Sequence, residues 1–153
     1  MAKQSAGILL YRKTEGKLQV FLVHPGGPFF KNKDEGNWSI PKGEFLDEED
    51  PLEAAKREFK EETGRAIAGK FILLNPITQK SGKKVHAWAV EGDMDHLSIK
   101  SNQFEMEWPP RSGKQQSFPE VDRAEWFDMD IAKVKINPAQ AGFIEELVET
   151  IGL

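Results

Sequence analysis

The feature that most constrains the fold of this chain is one helix whose beginning and end are both marked in the sequence. Asp50 is a good N-cap, Pro51 suits the first helical position, and Glu53 stands where a capping-box carboxylate would stand. Gly64 is a natural stop at the C-terminal end. Apolar residues recur between these signals at helical spacing, and the core-facing stripe comprises Leu52, Ala55 and Phe59. The sequence therefore predicts a helix over residues 51–63.

Outside this helix the chain reads mainly as strands and loops. Strand patterns cover residues 5–12, 18–24, 71–78, 84–90, 104–108 and 124–127. Loops are predicted over residues 24–36, which is long enough to suggest a function, and over the polar residues 111–119. A last helix is predicted to start at Pro138, with Asn137 as its cap. Strands, then a helix, more strands and a final helix indicate an α+β layered sandwich.

Composition limits the classes of function that remain. The 153 residues carry 21 Lys and Arg against 25 Asp and Glu, and the net charge of −4 argues against tight, sequence-independent binding to nucleic acid. The absence of cysteine excludes a disulfide scaffold, a thiolate zinc site and a cysteine nucleophile. No apolar run approaches the roughly 18 residues of a spanning helix. We therefore expect one domain over residues 1–153, with no membrane partner and a cytoplasmic location.

The end of the predicted helix is rich in carboxylates. Glu58, Glu61 and Glu62 have the spacing i, i+3 and i+4, which places them on one side of the helix. Three like charges so close together reduce stability unless a cation lies among them, and hard oxygen ligands of this kind suit Mg²⁺ or Mn²⁺. The alternative is a solvated acidic face, compensated by the neighbouring Lys56 and Lys60.

A wider pattern becomes visible when the sequence before the helix is included. Gly43 is followed by five residues and Glu49, then by seven residues and the run from Arg57 to Gly64. This pattern resembles the box of the Nudix hydrolase family, Gly-x5-Glu-x7-Arg-Glu-U-x-Glu-Glu-x-Gly-U, in which U is bulky and apolar. Every fixed residue matches, and the one departure is Arg65 at the last U position, which affects local packing more than catalysis. The resemblance implies an α/β/α sandwich with a mixed β-sheet between helices.

The resemblance also implies a reaction and roles for the residues of the box. The reaction is hydrolysis of a nucleoside diphosphate linked to another moiety, which requires charge neutralisation and an activated water. The implied cofactor is Mg²⁺ or Mn²⁺, with three side-chain ligands, one of which would deprotonate the water: Glu58, Glu61 and Glu62. The backbone carbonyl of Lys42 occupies the place of a further ligand. Glu49 would support the metal site, and Arg57 would join loop and helix by pairing with a carboxylate, an exposed helical cation being the alternative.

The family often adds an acidic residue from later in the chain, and its identity varies. Glu120 is our candidate, because it stands six residues before Trp126 in a Glu-Val-x4-Trp-Phe pattern that resembles the family's downstream segment. Glu120 would be a metal ligand or the base, and a solvated loop carboxylate is the alternative. Glu125 is expected to be an exposed strand residue.

The choice of substrate is less constrained. Residues 38–44 resemble the entry to the box in Nudix enzymes that cleave dinucleoside polyphosphates or nucleoside triphosphates, although Pro-Lys-Gly also occurs in diphosphoinositol polyphosphate enzymes. Lys42 would contact phosphate or remain in solvent. Three aromatic residues in or beside the long loop would stack on a base or pack internally: Trp38, Phe29 and Phe30. Four further cations would reach a polyphosphate tail or remain solvated: Arg111, Lys114, Lys83 and Lys84. The three histidines are expected to be structural: His24, His86 and His96.

The leading hypothesis is therefore a Mg²⁺-dependent Nudix hydrolase whose partner is a small nucleotide, such as a nucleoside triphosphate or a dinucleoside polyphosphate. A rival from another class is a Nudix-fold module that binds a nucleotide or RNA without cleaving it; degenerate modules usually lose box glutamates, which this chain keeps. A third hypothesis keeps the chemistry but assigns the enzyme to the removal of oxidised nucleotides. The sequence decides neither between the substrates nor on the oligomeric state.

Overall fold

The computed structural model describes residues 4–151, which form nine strands and three α-helices. In chain order the elements are β1 (Gln4–Thr14), β2 (Lys17–Pro25), β3 (Lys42–Phe45), α1 (Pro51–Thr63), β4 (Ile72–Leu73), β5 (Ile77–Thr78), β6 (Lys84–Glu91), β7 (Gln103–Glu107), β8 (Gln115–Pro119), β9 (Val121–Asp128), α2 (Met129–Lys135) and α3 (Ala141–Ile151). None of the helices within residues 4–151 combines the length and the apolar character needed to cross a membrane.

A mixed β-sheet lies at the centre of the fold. Its main order is β4-β6-β1-β2-β9, with β3 paired to β1 and β5 paired to β6. The pair β1–β6 is parallel, from Gln4 opposite Lys84 to Tyr11 opposite Glu91, whereas β1 pairs with β2 and β3 in the antiparallel sense. Strands β7 and β8 form a separate two-stranded sheet. The long central strand β1 therefore carries three neighbours and fixes β3 close to the body of the protein.

Helices cover both faces of the main sheet, which confirms the predicted α+β sandwich. On one face, alternate residues of β1 such as Ile8 and Leu10 pack with Phe59 of α1. On the other face, Leu9 of β1 packs with Phe143 and residues of α2 and α3. The two clusters follow from the period of two along β1, since successive side chains point to opposite faces of a sheet.

Helix α1 has the bounds that its capping signals predict. The Asp50 carboxylate accepts the N–H of Glu53 at 3.1 Å, and Gly64 adopts a left-handed φ of 77° and donates its N–H to the carbonyl of Lys60 at 2.7 Å. The buried stripe differs slightly from the prediction, because Ala54 is fully buried whereas Leu52 is only half-buried. The ends of a helix are thus predicted better than the rotation of its buried face.

Other sequence predictions need correction. The predicted polar loop over residues 111–119 is wrong in its second half, because β8 pairs with β7 along five residues. The predicted strand over residues 71–78 is broken into β4 and β5, with Pro76 in the gap. Helix α2 was not predicted, and α3 begins at Ala141 after a 3₁₀ turn over Pro138–Gln140. Most of these errors concern short elements, since β4, β5, β8 and α2 have two, two, five and seven residues.

Candidate active site

The close packing of β3 against α1 depends on Gly43. A Cβ atom added to Gly43 would lie 1.9 Å from Oε1 of Glu58, a distance at which the two atoms would overlap. The Glu58 carboxylate therefore lies directly against the β3 backbone, and Glu58 is only 8% exposed. Burial, together with the charge of Glu61, raises the pKa of Glu58 to about 7. The glycine that starts the sequence pattern thus creates the space for its first helical carboxylate.

Arg57 connects the carboxylates on the outer side of the helix. Its guanidinium contacts Oε2 of Glu58 at 2.8 Å, Oε2 of Glu49 at 3.2 Å and Oε1 of Glu61 at 3.3 Å. Glu49 in turn accepts the N–H of Leu46 at 3.2 Å. Arg57 therefore joins the loop before the helix to the helix itself, which is the kind of contact that the sequence predicts for it.

Glu62 faces a cavity together with Lys42. The backbone N–H of Lys42 donates to Oε1 of Glu62 at 3.3 Å. Burial and the charge of Glu58 raise the pKa of Glu62 to about 8, whereas burial and the charge of Lys83 lower the pKa of Lys42. The cavity has a volume of about 180 Å³ and is lined by Val23, Pro25, Ser39, Ile40, Lys42, Glu62, Glu120 and Val121. Lys42 is half-buried at this cavity rather than free in solvent.

Glu120 lines the same cavity from a different part of the chain. Partial burial and the charge of Glu61 raise the pKa of Glu120, and the charge of Glu120 contributes to the raised pKa of Glu62. The backbone of Glu120 is fixed on both sides, because its N–H donates to the carbonyl of Asn102 and its carbonyl accepts the N–H of Gly26, each at 2.9 Å. Glu120 and Glu125 are both exposed, but Glu120 lines the cavity whereas Glu125 lies on β9 outside its lining.

Two residues that sequence reasoning missed hold Glu120 beside the helix. The N–H of Asn102 donates to the carbonyl of Glu61 at 2.9 Å, and the hydroxyl of Ser101 accepts the N–H of Val121 at 3.0 Å. Residues 101 and 102 therefore connect the end of α1 to the residue before β9. No local sequence signal indicates this link, because its partners lie about 20 to 40 residues apart along the chain.

The four carboxylates form a donor set whose chemistry fits a divalent cation. Three come from α1 and one from the loop before β9, and all of them offer hard oxygen atoms: Glu58, Glu61, Glu62 and Glu120. Within residues 4–151, no three His, Cys, Asp or Glu side chains already stand as ligands around one point. The contacts of Arg57 give a reason, because its Nη1 bonds to both Glu58 and Glu61. Burial, and next the charge of a neighbouring glutamate, raises the pKa values of Glu58 and Glu62.

Trp38 is not placed to bind substrate, and that prediction is wrong. Its ring is 1% exposed and packs edge-on against Phe127 at a centroid distance of 5.0 Å. Its indole N–H donates to Asp34 at 2.8 Å, so the polar edge of the ring is satisfied inside the protein. Trp38 therefore belongs to the core, whereas Phe29 and Phe30 of the same loop remain exposed.

The predicted basic residues are spread over several places. Arg111 and Lys114 lie at the turn of the β7–β8 hairpin, away from Glu120, which follows the end of β8. Lys83 forms an ion pair with Glu44 at 3.5 Å, and Lys84 is exposed on β6. The structure therefore brings only Lys42 of this group to the carboxylates.

The three histidines lie apart from the carboxylates of α1, in contacts that support the fold. His24 is 1% exposed, its Nδ1 lies 2.8 Å from Asp122 and its Nε2 lies 2.6 Å from the carbonyl of Lys33. His86 contacts Gln4 through Nε2 at 2.6 Å. His96 begins a 3₁₀ turn after Asp95. None of the three faces the carboxylates of α1 in the part of the chain that the structure describes.

Comparisons with known proteins agree with this architecture. The family model of the NUDIX domain matches residues 1–147. No curated protein sequence matches the chain. Among solved structures, an Ap4A hydrolase of C. elegans in a binary complex has a TM-score of 0.67 at 19% identity, over 99% of this chain and 98% of that one. The NUDIX domain of NrtR from Shewanella oneidensis, complexed with ADP ribose, has a TM-score of 0.64 at 17% identity, over 99% and 89%.

A third similar structure is the Nudix hydrolase RenU from M. Smegmatis, with a TM-score of 0.62 at 20% identity, over 98% of this chain and 88% of that one. At these identities the structures show a shared fold, while the family model covers nearly the whole sequence. The resemblance that the box pattern indicates is confirmed. The chain belongs to the NUDIX domain family.

Proposed function

We propose that the protein is a Mg²⁺- or Mn²⁺-dependent hydrolase that cleaves a phosphoanhydride bond in a nucleoside triphosphate or a dinucleoside polyphosphate. The observation that carries this proposal is that Glu62 of α1, which stands beside Glu58 and Glu61, lines one cavity together with Glu120 and Lys42. Nucleotide ligands are supported by the similar structures, since one is an Ap4A hydrolase and another is a complex with ADP ribose.

The metal would be held by carboxylate oxygens, with the backbone carbonyl of Lys42 as a further ligand. The four carboxylates in this role are Glu58, Glu61, Glu62 and Glu120. When bound, the metal supplies charge neutralisation at the phosphoryl oxygens and lowers the pKa of a bound water. The donor set fits this role, because burial and mutual repulsion already raise the pKa values of Glu58 and Glu62.

The remaining residues position these groups and the substrate. Arg57 keeps Glu49 and the loop before α1 in contact with the helix, and so supports the carboxylates from the outer side. Lys42 stands at the cavity wall, where its ammonium group is available to the phosphate oxygens of a substrate. Glu120 approaches from a separate element, so its carboxylate can act as a metal ligand or accept the proton of the attacking water.

The proposal is tested by product analysis on a panel of substrates. Purified protein is incubated with nucleoside triphosphates, their 8-oxo forms, diadenosine polyphosphates, nucleotide sugars and ADP-ribose, each with Mg²⁺ or with a chelator. We expect Mg²⁺-dependent cleavage of a nucleoside triphosphate or a diadenosine polyphosphate, with products that identify the attacked phosphorus. Strong preference for 8-oxo forms would instead favour removal of oxidised nucleotides.

Variants separate catalysis from folding in the same assay. We expect Glu61→Gln and Glu62→Gln each to lose about 10²–10³-fold in kcat, because each removes one charged oxygen from the metal site. Glu145→Gln, on the exposed face of α3, is the matched control and should retain full activity. Activity like that of the wild type in both site variants, or ligand binding without any cleavage, would refute the proposal.

A cytoplasmic location and the absence of a nucleic-acid partner stay predictions of the sequence, as does one domain over residues 1–153.

A further inference from the structure

A second feature begins at Glu120 and runs away from the carboxylates. The loop after β2 and the β7–β8 hairpin lie side by side, and we refer to residues 26–30 and 103–119 together as the arm. At its base, the N–H of Gly26 donates to the carbonyl of Glu120. One residue further, a Cβ added to Gly27 would lie 2.9 Å from Cζ of Phe104. The two segments of the arm are therefore in direct contact, beginning next to Glu120.

The arm is long compared with the cavity. Gln103 pairs with Pro119 at the base of the hairpin, and Glu107 pairs with Gln115 near its turn. These pairs are four residues apart along each strand, which corresponds to roughly 14 Å at 3.4 Å per residue. A ligand that contacts both Glu120 and the end of the arm must therefore extend well beyond the carboxylates.

An exposed pair of aromatic rings lies at the outer end of the arm. Phe29 and Trp108 meet edge-on, with centroids 5.6 Å apart and an interplanar angle of 80°. Phe29 is nevertheless 60% exposed, and Trp108 is half-buried. In this geometry one ring contacts the other through its edge, and the other ring is contacted on one face only. Aromatic surface therefore remains open to a planar ligand. Stacking of a nucleobase on such a ring requires no particular base.

The turn of the hairpin presents two cations from an ordered backbone. The Glu107 carboxylate accepts the N–H of Arg111 at 2.9 Å and the N–H of Gly113 at 3.2 Å. Arg111 holds a φ of 62°, a conformation in which glycine or asparagine is more usual. The ion pairs formed among residues 4–151 include neither Arg111 nor Lys114, and both residues are exposed. Their charges are thus available to an anionic ligand.

We propose that the arm binds the distal nucleoside of a dinucleoside polyphosphate, with the base against Phe29 and Trp108 and the adjoining phosphates near Arg111 and Lys114. This inference rests on the proposed function and narrows it to the longer of the two substrate classes. The positive charges of Arg111 and Lys114 are complementary to the negative charges of the phosphates. The separation of the aromatic pair from Glu120 suits a ligand with a nucleoside at each end. A mononucleoside triphosphate has no second base to place on the rings.

The test compares a two-ended and a one-ended substrate in the same variants. KM and kcat are measured with Mg²⁺ for diadenosine tetraphosphate and for ATP, using the wild type, Phe29→Ala, Arg111→Ala and the control Leu73→Ala, which changes an exposed apolar residue on β4. We expect Phe29→Ala to raise the KM for diadenosine tetraphosphate about tenfold, with kcat and the kinetics of ATP unchanged. Trp108→Phe should retain most of the affinity, because an aromatic ring remains.

Binding is measured separately from turnover. The Kd of diadenosine tetraphosphate for the Glu62→Gln protein should rise about tenfold when Phe29→Ala is added. Equal changes for both substrates, or no change for diadenosine tetraphosphate, would overturn the assignment of the arm. A shift in the sedimentation coefficient of Phe29→Ala without a change in Kd would also overturn it, in favour of contact with a second copy of the chain.

The two proposals fail in different ways. If the wild type cleaves ATP but not diadenosine tetraphosphate, the arm assignment is wrong while the proposed hydrolase remains supported. If the wild type cleaves neither substrate with Mg²⁺, both are overturned.

Discussion

Two regions meet at Glu120 and are built in opposite ways. The glutamate segment, residues 43–64, is held by contacts over short sequence distances, such as Gly43 against Glu58 and Arg57 against Glu49. The hairpin of the arm is paired locally, but the two segments of the arm are joined by contacts between distant residues, such as Gly26 with Glu120 and Phe29 with Trp108. The groups that can perform the chemistry are thus encoded locally, whereas the surface that can select the substrate depends on the completed fold.

Among the tests of this contrast, the largest effect is expected within the glutamate segment. Gly43→Ala should lower kcat/KM about 10–100-fold and raise the Mg²⁺ concentration needed for activity, because the new methyl group displaces the Glu58 carboxylate. Gly142→Ala is the matched control, since no atom lies within 4 Å of its added Cβ. Its helical position predicts unchanged activity and a gain in stability of up to about 1 kcal/mol. Steady-state rates across a Mg²⁺ series measure the activity of both variants, and thermal unfolding measures the stability of Gly142→Ala. Normal Mg²⁺ dependence in Gly43→Ala would contradict the packing argument.

A smaller effect concerns the crowding of charge on α1. In chelator, Glu62→Gln should raise the Tm by about 2–4 °C, because a buried carboxyl beside Glu58 is replaced by a neutral amide. The amide oxygen can still accept the N–H of Lys42. The increase in Tm that Mg²⁺ causes in the wild type should shrink in this variant. Differential scanning calorimetry with and without Mg²⁺ provides the measurement, and Glu145→Gln provides the control. A lower metal-free Tm would show that Glu62 is stabilising rather than strained.

The smallest effect is expected at the junction of the two regions. Ser101→Ala removes the acceptor of the Val121 N–H and should lower kcat about fivefold, the equivalent of about 1 kcal/mol, with KM unchanged. Ser101→Thr retains the hydroxyl and should restore the rate. The control is Ser81→Ala in an exposed turn. A fall in Tm with no change in kcat would mean that Ser101 supports the fold but not Glu120.

The same contrast between local and distant contacts explains which parts of the structure could be predicted from the sequence. Helix α1 was predicted with its bounds because Asp50 and Gly64 mark its ends within the segment itself. Strand β8 was missed because its polar, mostly exposed residues become a strand only through pairing with β7. The sequence left open whether Trp38 stacks on a base or packs internally, because an aromatic residue beside a loop gives no local sign of burial. Its burial comes from distant contacts, including the bridge of Trp38 to Ile136.

Glu120 itself could be predicted from the sequence, but the residues that support it could not. A downstream pattern in the sequence indicated the residue, and the structure places it with Glu62 at the cavity. Its supports, Asn102 and Gly26, carry no local signal, because they lie 18 and 94 residues earlier in the chain. Prediction therefore identifies a carboxylate more readily than the backbone that presents it.

The main-chain support of residue 120 has a consequence for how this protein can change over generations. Both hydrogen bonds that fix the residue run through its backbone, so they persist with any side chain except that of proline, which lacks the N–H. A single substitution at residue 120 would therefore change the length or the acidity of the side chain without moving the backbone that carries it. Position 43 offers no such freedom, since any side chain larger than hydrogen collides with Glu58. The fold thus combines a position that accepts many side chains with a nearby position that has room only for glycine.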